Sequence, residues 1–360
     1  MKDTSARQFV SMVQTAETSS LVTNLETEMM LSRVGDFEVP TTINDGRRPT
    51  CYICCPSTAY LEYGQFELLQ VTRNPLLRAV GSGALRAASP VVRAMQLGRQ
   101  IQLNNWLVST NILPPVRPAA WLDAFDAASD SNPSFVPVLR SVNDAAHGPL
   151  IEAFDREGLT LLPVRKIFFR TYPEDWHRTR DDQQDVRLRS KGRFIERSGT
   201  TFGESDFDQA ARLYRMLYIE KYSRLNPQYT GRFFEEFQNR CGFELTGLFD
   251  PECGGRMVGV LGQFDQHGTI VSPVVGYDTD LPQKLGLYRW LVSLSDATAR
   301  SRQRFANWSA GAEQFKRNRG AKPAIEYLVA DLRRASRSQR RAGRILSHVL
   351  QLAARAAMRL

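Results

Sequence analysis

Residues 274–289 read VVGYDTDLPQKLGLYR, and their types and spacing suit an anionic ligand. Lys284 and Arg289 fall at the start of an expected helix, where a cation opposes the macrodipole unless an anion is near. Their placement points to phosphate, with two solvated side chains as the alternative. Gly286 stands inside the same helical pattern at a cost of about 1 kcal/mol against Ala, so close approach by a ligand or another backbone is the economical reason for it. Asp278, at the end of the preceding strand, is the first candidate for a base, and an Asx turn is its other reading. His147, His177, His267 and His348 are scattered with no partner at metal or triad spacing. Cys51, Cys54 and Cys55 lie within one expected strand, Cys241 and Cys253 lie far away, and no paired CxxC occurs. Reduced thiols are expected, and no metal.

Such residues need a frame. Residues 243–249, 256–264 and 269–276 read as three strands, the last two joined by a short turn containing Asp265, His267 and Gly268. A long helix over 283–302, a strand at 305–309, a short helix at 312–319 and a strand at 324–329 follow. Upstream, Phe207, Ala211, Tyr214, Leu217 and Tyr218 share one helical face, Pro227 opens a second helix through Phe237, and 194–196 is a short strand. In the N-terminal part, residues 1–49 read as an irregular arm with at most one helix, 50–55 as a strand, and 62–95 as partly helical. Strands at 100–110, 134–140 and 159–170 then alternate with helices at 119–128 and 145–157, which argues for an α/β domain with a mixed sheet. Asn104-Asn105-Trp106 and Ser109-Thr110-Asn111 are polar for a central strand, implying an edge or an inward polar site facing the second half. The charge-dense stretch 172–193 reads as a linker or surface crossover.

Two helices, an antiparallel meander, a strand, a loop opening a helix, a strand, a helix and a strand: this order resembles the GNAT acyltransferase fold. The family's pyrophosphate loop is matched at Gln283 and Gly286 of Gln283-Lys284-Leu285-Gly286-Leu287-Tyr288, and departs where Tyr288 replaces a small residue. The segment Asn307-Trp308-Ser309-Ala310-Gly311-Ala312-Glu313-Gln314-Phe315-Lys316 is similar to the branch holding Fem-type aminoacyl transferases and acetyltransferase-like proteins of cellulose biosynthesis. The resemblance implies a GNAT-like fold of two halves, the N-terminal one degenerate, and an N-acyltransferase using acetyl-CoA or another acyl-CoA. It implies binding of that co-substrate by Tyr277, Gln283, Lys284, Gly286, Leu287 and Arg289. The tyrosine that commonly protonates the leaving thiolate is replaced by Phe315, so the role passes to Tyr288, Tyr277 or Ser309, or to none; Asp278, Tyr288 and Ser309 are the catalytic candidates. Tyr218, Lys221, Tyr222, Asn226 and Tyr229 surround the region that shapes the acceptor pocket in this superfamily, and Lys316 could neutralise an acceptor's anion. Tyr218, Tyr222, Asn226 and Lys316 are therefore the substrate-binding candidates, for a small-molecule or peptide-like amine. No Cys stands in these segments, so direct attack in a ternary complex is expected.

Composition bounds the rest. The 360 residues suggest two units, taken as 1–170 and 171–335, followed by a basic tail over 336–360. Of the net charge of +9, residues 331–360 carry +7, with eight Arg against Asp331 alone. That tail could bind nucleic acid, acidic lipid or a phosphorylated ligand, whereas Ile345, Leu346, Val349, Leu350, Leu352 and Ala353 at helical spacing fit an amphipathic helix docked on the body. The near-neutral body argues against a dedicated nucleic-acid-binding protein. Alternatives are aminoacyl transfer from charged tRNA, an acyl carrier protein as donor, and a non-catalytic binding pair. No apolar run reaches bilayer length and no export signal opens the chain, so the expected address is the cytoplasm.

Overall fold

The computed structural model describes residues 4–46, 51–55 and 89–359. Helices α1 (Ser5–Ala16) and α2 (Thr18–Leu21) precede a hairpin of β1 (Glu28–Val34) and β2 (Phe37–Asn44). β3 (Gln100–Leu103) pairs antiparallel with β2 and parallel with β4 (Val136–Asn143), and the crossover carries α3 (Pro118–Ser131). Then come α4 (Gly148–Arg156), β5 (Thr160–Thr171), α5 (Arg180–Ser190), β6 (Ile195–Ser198), α6 (Glu204–Arg215) and α7 (Gly231–Cys241). The meander of β7 (Phe243–Asp250), β8 (Arg256–Gln266) and β9 (Thr269–Tyr277) leads into α8 (Leu287–Ser301), β10 (Phe305–Asn307), α9 (Glu313–Arg317), β11 (Lys322–Ala330) and α10 (Arg337–Arg359).

These strands form one eleven-stranded sheet in the order β1-β2-β3-β4-β11-β5-β10-β9-β8-β7-β6. Each half contributes antiparallel strands ending in a parallel pair, β3 with β4 and β9 with β10. Each also hands its last strand across: β11 lies between β4 and β5, and β5 lies between β11 and β10. β5 and β11 pair antiparallel from Phe169↔Lys322 to Thr160↔Ala330 at the centre of the sheet. The result is a GNAT-like mixed α/β fold of two interlocked halves.

Alternation along β8, offset by the bulge at Val258, explains the layers. Met257, Val260 and Phe264 face α1, α6 and α7, whose Phe9, Phe207, Tyr214, Phe233 and Phe237 complete the largest core, while Val258 and Leu261 face Leu287, Trp290 and Leu291 of α8. The sheet is thus covered on both faces here.

Several sequence expectations change. The N-terminal arm is two helices and a hairpin, because its apolar residues (Phe9, Val10, Met12, Val13) belong to the main core. Cys51–Cys55 is a buried turn and not a strand, and the expected strand 100–110 stops at Leu103, where Asn104 takes a φ of +53°. Most of the expected helical stretch 62–95 lies outside the described residues. The stretch 172–193 is not an open linker: α5 is tied to the body by buried ion pairs. Arg170 on β5 donates to Asp182 at 3.0 Å and Asp296 at 3.2 Å, while Asp185 accepts from Arg289 at 2.6 Å and Arg319 at 2.7 Å. Gly286 is not inside a helix either; it caps α8 with a φ of +69°, after a separate turn at Gln283–Leu285.

Candidate active site

β9 and β10 run parallel for only three residue pairs, Thr269↔Phe305 to Val271↔Asn307. β9 then stays with β8 as far as Tyr277, while the chain after β10 stays with β5, Trp308 donating to the Phe168 carbonyl at 2.8 Å and Phe168 to the Ser309 carbonyl at 3.1 Å. The two strands part, and among the described residues no strand pairs with 272–277 on the β10 side. Pro273, which has no N–H to offer, falls in that stretch. Such a parting, at the carboxyl ends of parallel strands, is where open α/β sheets take ligands. On the other flank the backbone of α6 presses against β9: a Cβ at Gly276 would sit 2.6 Å from the Tyr214 nitrogen, so only glycine fits.

α8 opens beside this gap. No side chain caps its N-terminus, no acidic residue lies in its first turn, and Trp290 donates to the Gly286 carbonyl as the first helical bond. The preceding N–H groups of Leu287, Tyr288 and Arg289 are therefore left for an anion or water. Lys284 and Gln283 are exposed on the turn before. Leu287 itself is a core side chain, packed with Phe194 and Trp290, so only its backbone can serve a ligand. The Arg289 Nε is already held by Asp185. The room beside Gly286 is filled by Leu188, 2.7 Å from where a Cβ would lie; its glycine is required by the left-handed backbone and not by a ligand.

An aromatic cluster gathers side chains from the end of β9, the start of α8 and α9. Tyr288 lies 4.9 Å from Phe315 and 6.3 Å from Tyr277, and Tyr218 lies 6.0 Å from Tyr222, all as ring centroids. Burial, with Tyr222 and Tyr277 beside it, holds the Tyr288 hydroxyl well above its usual pKa; burial does the same for Tyr218, with Tyr288 and Tyr222 adding to it, and burial raises Tyr277. These phenols stay protonated at neutral pH, and those of Tyr218, Tyr277 and Tyr288 have no hydrogen-bond partner among the described residues. The structure thus brings together Tyr218, Tyr222, Tyr277 and Tyr288 of the sequence candidates, with Phe315 beside them.

Other candidates are committed elsewhere. Asp278 pairs with Arg256 at 2.7 Å and closes an Asx turn onto the Asp280 N–H at 3.0 Å, so it does not reach into the gap as a free base. Asn226 spends its amide on the carbonyls of Tyr218 at 2.9 Å and Ser223 at 3.2 Å, fixing the turn after α6. Lys316 is buried, and its Nζ donates to the carbonyls of Trp308, Ser309 and Ala310 at 2.7, 3.0 and 2.6 Å. Burial and then the nearby Arg165 lower its pKa to about 7. It holds the loop after β10 in place and has no proton left for an acceptor.

Ser309 lies in that loop in left-handed backbone, φ +58°. Its hydroxyl accepts from Thr110 at 3.3 Å, Thr110 accepts from Arg165 at 2.9 Å, and Arg165 pairs with buried Glu326 at 2.8 Å. Of the polar string at 109–111, Thr110 does meet the second half, at Ser309, while Ser109 and Asn111 bond within the first; Arg165 and Glu326 were not among the sequence candidates. The matching parting of β3 from β4 is crossed by residues 104–113, with Asn105 donating to the Pro40 carbonyl at 2.7 Å and Asn111 to Ser141 at 2.9 Å.

The fold is GNAT-like, with an open strand parting in its C-terminal half. No protein-family model matches the sequence, and no curated protein matches it. Among solved structures the chain is similar to FemX, at 9% identity over 58% of this chain and 75% of that one, with a TM-score of 0.46. It is similar to L-PGS from Bacillus licheniformis, at 12% identity over 64% and 77%, with a TM-score of 0.44. A tandem GNAT protein from the clavulanic acid biosynthesis pathway follows at 12% identity over 64% and 74%, with a TM-score of 0.37.

Proposed function

We propose that the chain is an N-acyltransferase that moves an acyl group from a thioester, acyl-CoA in the first instance, to an amine by direct attack. The parting of β9 from β10 carries this reading, because it leaves backbone N–H and C=O groups of 272–277 to align an extended donor arm beside the uncapped start of α8. The N–H groups of Leu287, Tyr288 and Arg289, with exposed Lys284, fit the donor's diphosphate.

The amine nitrogen bonds to the thioester carbonyl carbon, and the carbon–sulfur bond then breaks. Tyr288, kept protonated, gives its proton to the departing sulfur and regains one from solvent. The acceptor's ammonium gives one proton to water before attack, since Asp278 is held by Arg256, and the nitrogen gives its second to water as the amide forms. Tyr218 and Tyr222 offer an acceptor pocket with both apolar faces and hydroxyls. An aminoacyl group on tRNA or an acyl group on a carrier protein presents the same activated carboxyl and is the second donor class to assay.

Calorimetry with acetyl-CoA tests donor binding, and no heat from acetyl-CoA or a longer acyl-CoA removes the CoA donor. In turnover, Tyr288→Phe is expected to lower kcat on the order of 10²-fold with KM little changed, since the donated proton matters mainly in the transition state. An unchanged kcat takes Tyr288 out of the chemistry.

A further inference from the structure

The twenty-three residues of α10 carry two apolar stripes, and only one of them is used. Ala342 and Leu346 are buried and Leu350 packs beside them against Val136, Val138, Leu162 and Leu328 of the sheet. Ser347 on the same side donates to the Leu161 carbonyl at 2.7 Å, which fixes the rotation of the helix on the body. The helical repeat then places positions 345, 349 and 352 on the shoulder beside the buried stripe, roughly a quarter to two-fifths of a turn round from it, with 341 and 348 across from it. Ile345, Val349 and Leu352, spaced as neighbours along one helix face, are 47%, 55% and 53% exposed. Arg341, Arg344 and His348 lie along one side of that ridge and are exposed, Arg337 extends the cationic edge by a further turn, Arg355 is turned to the cleft that Asp144, Glu152 and Asp155 line, and α10 contains no acidic residue.

A helix that only covered the core would carry polar side chains on its outer face. An aliphatic ridge with arginines beside it matches a surface that is apolar below and anionic above. We propose that the outer face of α10 docks the protein on an anionic lipid bilayer, the three aliphatic side chains entering the headgroup boundary and the arginines meeting lipid phosphates. This surface is independent of the acyl-transfer site, which lies on other elements. A nucleic acid accounts for the arginines and leaves the ridge unexplained; a second copy of the chain would place the same cations face to face.

The test is co-sedimentation of the full chain with vesicles of phosphatidylcholine alone and with about 30% phosphatidylglycerol. Binding is expected to the anionic vesicles, to weaken at least about tenfold as salt rises from low to near-molar, and to be weak on the neutral ones. Ile345→Ser with Val349→Ser, and separately Arg341→Glu with Arg344→Glu, should each lower binding about tenfold or more while leaving the thermal midpoint in place, because these side chains are exposed. In a third variant, Ile345→Trp, the new indole should shift to the blue on adding anionic vesicles and stay unshifted with free inorganic phosphate. Equal binding of wild type and the serine variant, or no binding to anionic vesicles, overturns the proposal. So does a wild-type dimer that the serine variant dissolves without any vesicle binding, or an RNA affinity that depends on the arginines in a chain that ignores vesicles.

Discussion

Burial pushes the His147 imidazole down to about 4, and its Nδ1 accepts the Asn143 N–H at 3.1 Å, a bond that needs this nitrogen unprotonated. The sign follows from linkage. An unfolded histidine takes a proton near pH 6.5 and the folded one does not, so this contribution is complete above that value and is lost as pH falls toward about 4. The slope approaches about 1.4 kcal/mol per pH unit within that window. Urea unfolding at pH 7.5 and at pH 4.5 should therefore show a larger loss for wild type than for His147→Gln; equal losses would remove His147 from the acid response. A second residue prediction concerns Gly286. Gly286→Ala forces a side chain into left-handed backbone at φ +69° and against Leu188, and is expected to cost about 1–2 kcal/mol of stability, read as a lower thermal midpoint. A loss of donor binding in a larger substitution there would thus follow from the backbone alone. Lys284→Ala, exposed on the turn, is the cleaner probe of the donor phosphate and should weaken binding without moving the midpoint.

At the scale of elements, α5 depends on charges where most helices depend on apolar contact. Arg170 is buried between Asp182 and Asp296, and the Tyr172 hydroxyl also donates to Asp296. Arg170→Met leaves Asp182 without its cation, and Asp296 with Arg300 alone at 3.4 Å, in a dry setting, for an expected loss of about 3–5 kcal/mol; chemical denaturation checks it, and a loss within experimental error would mean that water already reaches the cluster. The same feature explains what was legible in the sequence. The meander β7–β9 and helices α6 to α8 announce themselves, because Phe243, Leu245, Met257, Val258, Val260 and Leu261 follow the pleat and Phe207, Ala211 and Tyr214 follow the helical turn. α5 does not, since its buried groups are Asp182 and Asp185, and an apolar pattern cannot register them. The tyrosine cluster was legible through Tyr218, Tyr222, Tyr277 and Tyr288. The Asx turn of Asp278 was legible too, but its pairing with Arg256 and what Asn226 and Lys316 do were not, because each is decided by a partner that only the folded chain brings within reach.

For the whole molecule, the exchange of β5 and β11 ties the two halves more closely than a boundary at residue 170 would suggest. A chain cut there separates β10 from β5, its antiparallel neighbour, and β11 from the strand it pairs with along its whole length. The fragment 171–335 would then present β11 and β10 as unpaired edges in what is now the middle of the sheet, and the fragment 1–170 would expose β4 and β5 likewise. Reporters stand in both halves: Trp106 and Trp121 are buried in the first, Trp290 in the second. The expected outcome is one cooperative transition in the intact chain, with indole fluorescence and far-ultraviolet dichroism coinciding across a urea series, and little folded material from either fragment alone. Two separate transitions, or a fragment 171–335 that folds with native dichroism, would show that the central strands add little to coupling. The gap between β9 and β10 borders the exchanged strand, since the chain past β10 follows β5 away from β9. A fragment without β5 should accordingly fail to bind an acyl donor even where the meander itself survives, and mixing the two fragments should restore binding if the exchange re-forms.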